Sequence, residues 1–372
     1  MANKRNTCIS ICKALAIILM CMGHTEGPSR IINFIYLFHM PVFFITAGYF
    51  FSRKYVDNPW DFCVKRFKGL YLPFVKWALF FLIAHNAFFA MGILNERYGN
   101  WEGGVTHPYS PHTFMQRLFD IIFSMGGYDE FLAGAFWFFR ALLVSSIVFL
   151  ALFLLLRNRR AWLGTTATCL CVCALALIVA FVKIQFQLRI PTVMQGGIRE
   201  CWGVFFFSVG VLYRKHEQAI PENAVLSVIC FLLLAAGSAL HFHGMTLSPK
   251  PYDALTLPLT GIIGFLMLHH ISAVIDRHKG CIKRFLVYCG DNTLYIFVFH
   301  ILAFKLVTVA KIIYYGLDWE QIGTHMVVHY RSQTDLFFIL YTIVGTAVPL
   351  LWIFCYRKAK SQLRRHFSST QA

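Results

Sequence analysis

Charged residues are what this sequence has least of. Only 14% of its 372 residues are Asp, Glu, Lys or Arg, whereas about a quarter are charged in an ordinary soluble domain. Hydrophobic residues make up 58% of the chain, and the mean hydropathy is +0.60. This balance excludes a soluble globular domain and indicates a protein that lies in a membrane.

Acidic residues are the scarcer sign, with 17 Asp and Glu against 34 Lys and Arg. The formal net charge of +17 could indicate a nucleic-acid partner. Here, however, the Lys and Arg residues lie in short loops between apolar runs, which is the signal that orients a membrane protein. We therefore expect membrane lipids, and no nucleic acid, as partners.

Internal repeats, low-complexity stretches and a recognisable cleavable signal peptide are also missing. The first apolar run keeps Lys13 in its middle and has no small-residue cleavage site. The alternating cysteines Cys169, Cys171 and Cys173 are not a metal motif, because neighbours on one helix face are three or four residues apart. We expect the cysteines to pack as small hydrophobic residues, and no metal is predicted.

The apolar runs predict an all-α fold, a polytopic bundle of about ten membrane-spanning helices in a single domain, 1–372. A bilayer core needs about 20 mainly apolar residues per helix. The predicted spans are 8–24, 31–52, 70–92, 133–156, 161–182, 198–213, 222–241, 254–275, 286–310 and 334–356. Segment 114–127 is apolar but too short to span, which indicates a re-entrant or interfacial piece. The stretch PWDFCVKRFKGLYLPF (59–74) predicts an amphipathic helix on the membrane surface.

An even number of spans places both termini on one side. Counted over alternate loops, 21 Lys and Arg fall on the side of the termini and nine on the other. Because cytoplasmic loops carry the excess of positive charge, both termini are predicted in the cytoplasm and the loop 93–132 outside it.

The run CKALAIILMCMGH contains a lysine and a histidine that an ordinary membrane span would not carry. His24 follows Lys13 by eleven residues, which brings a helix round to about 20° from its starting direction and along its axis by roughly 16 Å. The two side chains therefore share one helix face. Since a charge at the bilayer centre costs roughly 2.5–3.5 kcal/mol on insertion scales, this face is expected to line a polar interior.

Other polar residues in or near the apolar runs carry both a structural and a functional interpretation. His39 precedes Pro41, whose missing N–H frees a backbone carbonyl, and Gly48 allows a close approach by a helix or a ligand. The remaining candidates are Lys65, Arg66, Lys68, Trp137, Arg140, Arg199, Glu200 and His300. The basic cluster could hold lipid headgroups or ligand phosphates. Arg199 and Glu200 could form an ordinary ion pair, and His300 a helix-to-helix hydrogen bond.

Three stretches resemble the acyltransferase-3 family of polytopic membrane acyltransferases. They are the basic residue and histidine of CKALAIILMCMGH, the second-helix motif FHMPVFFITAGYF, and the basic stretch KRFKGLYLP. Weaker similarities are FWFFRALL, FFFSVGVLYRK and GDNTLYIFVFH. The sequence departs from the family pattern at Lys13, where the family usually has Arg, at Ser10, where it often has Asp, and at Ala47, where it has Ser.

The resemblance implies transfer of an acyl group, most often acetyl, from acyl-coenzyme A on the cytoplasmic side to a hydroxyl of an envelope glycan. Histidine can take the hydroxyl proton at neutral pH, so His24 is assigned as general base, with Glu26 or Glu200 as a possible acidic partner. Arg66, with Lys65 or Lys68, is expected to bind the donor phosphates. The other predicted substrate-binding residues are Lys13, His39, Trp137 and Arg199. The expected location is the inner (cytoplasmic) membrane, with no permanently bound cofactor.

Two rival functions use the same residues differently. A transporter or flippase of a lipid-linked sugar would need the internal polar face without chemistry, although the paired broken helices typical of transporters are not evident. A haem or quinone oxidoreductase would need facing histidines, for which His24 and His39 are candidates. That function would leave Lys13 and the basic cluster unexplained.

Overall fold

The computed structural model describes residues 6–99, 106–159, 164–190, 194–221, 223–246 and 248–369. Within these ranges the chain is helical and has no β-strand. The α-helices are α1 (Thr7–Gly23), α2 (Ser29–Tyr36), α3 (His39–Tyr49), α4 (Lys54–Asp57), α5 (Pro59–Arg66), α6 (Leu72–Ala90), α7 (Pro111–Ser124), α8 (Trp137–Arg159), α9 (Thr165–Gln185), α10 (Ile198–His216), α11 (Ala224–Ala239), α12 (Asp253–Arg277), α13 (Cys281–Asp291), α14 (Thr293–Tyr315) and α15 (Phe337–Ser369). The first residues of the predicted spans 161–182 and 222–241, and part of the loop 93–132, lie outside the described residues.

Most of the predicted spans overlap apolar helices, but the predicted span 286–310 crosses the boundary between α13 and α14. Helix α10, predicted as the span 198–213, is not among the described helices that are long and apolar enough to cross a membrane. In the part of the chain that the structure describes, seven helical segments are long and apolar enough to cross a membrane: Ser29–Tyr49, Pro59–Ala90, Gly134–Arg157, Thr165–Gln185, Asp253–Arg277, Thr293–Tyr315 and Phe337–Gln362. Helices α1 and α11 are apolar but shorter. The chain is therefore an all-helical multi-pass membrane protein, while the count of ten spans and the cytoplasmic termini stay predictions.

The predicted span 31–52 is broken between α2 and α3. Pro41 has no N–H to donate to the carbonyl of Leu37, four residues earlier, and the hydroxyl of Thr260 in α12 donates to that carbonyl instead, at 3.2 Å. The break predicted beside His39 is confirmed, and another helix satisfies the freed backbone group.

Helices α3 and α10 approach each other closely at two glycines. A Cβ atom on Gly48 would lie 2.0 Å from the carbonyl oxygen of Phe207, and one on Gly210 would lie 2.0 Å from that of Ile45. Only glycine fits at such distances, which is typical of membrane helix packing. The close approach expected at Gly48 is confirmed, and the approaching group is a helix. It holds α3 and α10 side by side.

Hydrogen bonds between helix termini define two ends of the bundle. At the Thr7 end, Thr7 donates to Asp276 of α12 at 2.6 Å, and Lys215 of α10 donates to Thr166 of α9 at 2.6 Å. At the His24 end, the side chain of Arg199 in α10 donates to the carbonyl of Met245 at 3.0 Å. His24 follows α1 directly, so α1 runs from one end to the other.

The segment predicted to be re-entrant or interfacial and the stretch predicted to be an amphipathic surface helix both form helices. Segment 114–127 corresponds to α7, which leaves Met115, Phe119 and Phe123 exposed along one face. Residues 59–74 form α5 and a π-helical turn, Phe67–Tyr71, which continues into α6. Whether either helix lies on a membrane surface stays a prediction.

Candidate active site

A polar cavity of about 600 Å³ opens at the His24 end of the bundle. Four of the six predicted site residues line it, namely His24, His39, Trp137 and Arg199. These residues come from the end of α1 and from the starts of α3, α8 and α10. We call this space the His24 cavity.

His24 forms a hydrogen-bonded pair with His300 of α14. The Nδ1 atom of His24 lies 2.8 Å from Nε2 of His300, and the two rings are stacked with centroids 5.0 Å apart. Nδ1 of His300 lies 2.9 Å from the backbone carbonyl oxygen of Phe297. The sequence left Glu26 and Glu200 open as partners of His24, but Glu26 is paired with His329 and Glu200 with Arg140.

The backbone carbonyl fixes which nitrogen of each ring carries hydrogen when both rings are neutral. A carbonyl oxygen only accepts hydrogen bonds, so Nδ1 of His300 must be the N–H donor and Nε2 of that ring must be an acceptor. Nδ1 of His24 must then donate to it. This assignment leaves Nε2 of His24 with the lone pair that a general base uses.

His39 is oriented in a similar way. Its Nδ1 lies 2.9 Å from the carbonyl oxygen of Ile35, the residue four positions earlier in α2, and therefore donates to it. The ring is buried and packs edge-on against Tyr36, with ring centroids 5.2 Å apart. A neutral His39 thus keeps Nε2 as an acceptor in the wall of the His24 cavity.

Arg199 and Trp137 form a cation–π pair on the cavity wall. The guanidinium carbon of Arg199 lies 3.9 Å from the centre of the Trp137 ring, and Nε donates to the carbonyl of Met245. The neighbouring Glu200 accepts a hydrogen bond from buried Arg140 at 3.1 Å. The wall therefore presents a cation stacked on an aromatic face.

Several polar lining residues were not found from the sequence. They are Asn33, Tyr36, Tyr128, Glu130, His243 and His325. Four of them lie outside the membrane-spanning segments, where no helical periodicity marks them. Burial raises the pKa of Tyr128 to about 12. Burial and the nearby Lys305 lower the pKa of His325 to about 4, so that its ring is neutral at pH 7.

Lys13 lines a second cavity, of about 280 Å³, which we call the Lys13 cavity. Its other walls are mainly apolar, with Phe43, Phe138 and Leu294 among them. Helix α1 faces both cavities: Lys13, Ile17 and Met20 line the Lys13 cavity, and Met20 and His24 line the His24 cavity. The single face that the spacing of Lys13 and His24 predicted is therefore the face toward the cavities. Met20, Met40 and Phe297 line both cavities. These three residues, which we call the partition, separate the two spaces.

Arg66 lies beside the Lys13 cavity and is not among its lining residues. Its guanidinium donates to the carbonyl of Ala47 at 3.4 Å and lies 4.8 Å from the ring centre of Phe62. Lys68 is exposed, and Lys65 donates to the hydroxyl of Tyr55 at 3.3 Å. Two neighbours of the basic cluster do line the cavity: Ala47, whose carbonyl Arg66 contacts, and Gly69, which follows Lys68. The basic cluster therefore lies at the edge of this cavity.

The contact between His24 and His300 is not that of two histidines that share one metal ion. Two histidines that bind one metal ion from opposite sides need their nitrogens about 4 Å apart, because each metal–nitrogen bond is about 2 Å long. The 2.8 Å between His24 and His300 leaves no room for an ion. Among the described residues, no three His, Cys, Asp or Glu side chains are grouped as metal ligands.

A bundle of apolar helices that holds a histidine pair beside a polar cavity is the architecture of a multi-pass membrane protein with an internal site. The sequence model of the acyltransferase-3 family, described as an acyltransferase domain, matches residues 6–357, nearly the whole chain. The chain belongs to this family and is a membrane acyltransferase. No curated protein and no solved structure matches the chain.

Proposed function

We propose that this protein transfers an acetyl group from acetyl-coenzyme A to a hydroxyl of an envelope glycan or lipid-linked sugar at the inner (cytoplasmic) membrane. The observation that carries the proposal is the tautomer of His24, whose Nε2 keeps its lone pair while His300 holds Nδ1. A sugar hydroxyl is a poor nucleophile at neutral pH, and a positioned base removes that obstacle.

In the proposed reaction, Nε2 of His24 takes the hydroxyl proton as the sugar oxygen attacks the thioester carbonyl. The new C–O bond gives a tetrahedral intermediate, whose collapse breaks the C–S bond. The proton on His24 then passes to the leaving thiolate, so the products are the ester and free coenzyme A. Arg199, a cation in the cavity wall, is placed to bind the acceptor or the developing oxyanion.

The two cavities suit the two substrates. The apolar walls of the Lys13 cavity fit the acyl group and its pantetheine arm, and the basic cluster of Lys65, Arg66 and Lys68 at its edge fits phosphates. The polar walls of the His24 cavity fit a sugar, with His39 and Trp137 to orient it. The partition between them is the point where donor and acceptor would meet.

A transporter or flippase remains the second candidate, because two cavities that adjoin across a thin partition are also what a passage needs. The two functions differ in their dependence on a base. A passage needs no proton acceptor at His24, whereas acyl transfer does.

The test uses the purified full-length protein in proteoliposomes with acetyl-labelled acetyl-coenzyme A and glycan extracted from the host envelope. We expect labelled acetyl groups on the glycan, and a loss of about 10²–10⁴-fold in transfer by His24→Gln, which keeps bulk but cannot take the proton. The matched control is His278→Gln, since His278 is exposed at the end of α12.

Coenzyme A affinity is measured in the same samples and should be unchanged in both variants. Near-normal transfer by His24→Gln would reject the assignment of the base. Movement of a labelled lipid-linked sugar across the bilayer, with no label transferred by the wild type, would favour the transporter.

A further inference from the structure

A third cavity, of about 370 Å³, opens at the Thr7 end and is lined by four cationic side chains. They are Arg53, Arg157, Arg214 and Lys215, and they are joined by the hydroxyl-bearing residues Ser52 and Thr165. Among the described residues, no Asp or Glu lines this cavity. We call it the basic cavity. Positive loops are general in membrane proteins, but that tendency does not explain why cations from different elements converge on one hollow.

Two of the cations are fixed in place by the protein. Nη1 of Arg214 donates to the backbone carbonyl of Tyr49 at 3.2 Å, and Nζ of Lys215 donates to the hydroxyl of Thr166 at 2.6 Å. Each bond occupies one of several donors, since a guanidinium has five N–H groups and an ammonium three. The charged heads are therefore positioned and keep donors for a ligand.

Helix α9 begins at the same cavity. Its N-cap residue, Gly164, has no side chain to accept from the first backbone N–H groups, and Thr165 lines the cavity. The amino-terminal end of a helix carries a partial positive charge. Four cations and a helix terminus around one hollow attract an anion, and a wall made of N–H and O–H donors fits the oxygens of a phosphate.

We propose that the basic cavity binds a phosphate group, from either the nucleotide part of the acyl donor or the headgroup of an anionic lipid. The position of the cavity allows the first source, because Phe51 lines it and the adjacent Phe50 lines the Lys13 cavity. Phe51 also packs against Phe62, which the Arg66 guanidinium covers. Only the donor source rests on the proposed function.

The test uses the double variant Arg53→Gln/Arg157→Gln of the full-length protein. Arg53 is exposed and Arg157 is half-buried, and neither side chain has a hydrogen bond or ion pair among those of the described residues, so we expect both variants to fold. The matched control is Lys358→Gln/Lys360→Gln, which removes the same charge from an exposed part of α15. Circular dichroism and elution volume confirm that both variants fold.

Two measurements separate the sources of phosphate. Coenzyme A binding is measured by calorimetry in an uncharged detergent, and phosphatidylglycerol retention is measured after extraction from vesicles of equal parts phosphatidylglycerol and phosphatidylcholine. If the donor supplies the phosphate, the double variant binds coenzyme A about tenfold or more weakly, as expected for lost charged hydrogen bonds, and the control does not. If a lipid supplies it, only phosphatidylglycerol retention falls.

Equal behaviour of the double variant and the wild type in both measurements would overturn the proposal, as would an equal loss in the control. The result is independent of catalysis. His24→Gln should keep the wild-type response in both measurements, so an anion site can be confirmed even if no acyl transfer is found.

Discussion

The His24 cavity and the Lys13 cavity share one face of α1 but differ in what lines them. Histidines, tyrosines, Asn33, Glu130 and Arg199 surround the first, whereas phenylalanine, leucine and methionine side chains surround the single lysine of the second. Under the proposed function, the two spaces would serve different steps of the reaction. The polar cavity suits hydrogen bonding and proton transfer, and the apolar cavity suits a thioester arm that one charge steers.

Of the tests that compare the two cavities, we expect the largest loss of acyl-transfer rate from replacing His300, the partner of His24. His300→Ala removes the group that holds Nδ1 of His24, and the loss of the correct tautomer should lower kcat on the order of 10²-fold, the lower end of what a positioned base contributes. His300→Gln should recover part of this rate, because an amide can accept from His24 and donate to the Phe297 carbonyl. Steady-state acyl transfer by both variants provides the measurement.

The contrast between positions 24 and 300 identifies the roles. If His24 is the base, Gln should fail at position 24, where a proton is taken, and should help at position 300, where only orientation is needed. Donor KM should stay constant in both His300 variants. Equal rates for His300→Ala and the wild type would show that the pair is a packing contact.

A smaller effect is expected in the other cavity, at Lys13. Lys13→Ala removes the charge from the Lys13 cavity and should weaken coenzyme A binding by about tenfold or more, the effect of one charged hydrogen bond. Lys13→Arg should bind more tightly than Lys13→Ala, since the charge is kept. Calorimetry of the free enzyme gives the affinities. A large change in kcat with unchanged affinity would place Lys13 in the chemistry and blur the division between the cavities.

The sequence indicated some of these residues because their signals are local. The spacing of Lys13 and His24 is a property of one helix, and the break before His39 is a property of one proline. The pairing of His24 with His300 joins residues on α1 and α14, and one sequence contains no signal for such a contact. The same holds for Tyr128, His243 and His325, which reach the cavity from segments between membrane helices.

Burial was the property that sequence patterns misjudged. Lys65, Arg66 and Lys68 look alike in a basic stretch, but the structure stacks Arg66 on Phe62 and leaves Lys68 exposed. The ring centre of Phe207 in α10 also lies 5.3 Å from the Arg66 guanidinium carbon. The amphipathic pattern of α5 alone does not reveal this contact with another helix. Arg66→Ala is thus expected to affect packing as well as phosphate binding.

The close packing between α3 and α10 can be tested through the stability of the whole protein, on which both cavities depend. Gly48→Ala would place a methyl group against the Phe207 carbonyl and should destabilise the protein by about 1–3 kcal/mol. Thermal unfolding in detergent measures the loss. Gly69→Ala is the matched control, because nothing lies within 4 Å of its Cβ position. Similar unfolding temperatures for the two variants would contradict the close packing.

The smallest effect concerns pH at the His24 end. The pKa of His325 is lowered in the folded protein to about 4, below the 6.5 of a free histidine. The unfolded chain therefore binds the extra proton first, so stability should be constant above about pH 6.5 and fall as the pH decreases towards 4. In His325→Gln the loss between pH 7 and pH 5 should be smaller. Unfolding temperatures at the two pH values measure the difference, and an identical loss in both proteins would reject it.

The partition of Met20, Met40 and Phe297 bears on the permeability of the membrane. Its side chains are apolar and nearly inaccessible to solvent, with exposed fractions of 1%, 7% and 8%. A hydrated ion would lose its water shell in crossing such a barrier, which costs far more than thermal energy. Methionine side chains are flexible enough to admit a small acyl group between them. If the proposed reaction takes place here, the partition would keep the proton gradient intact while an acyl group moves between the cavities.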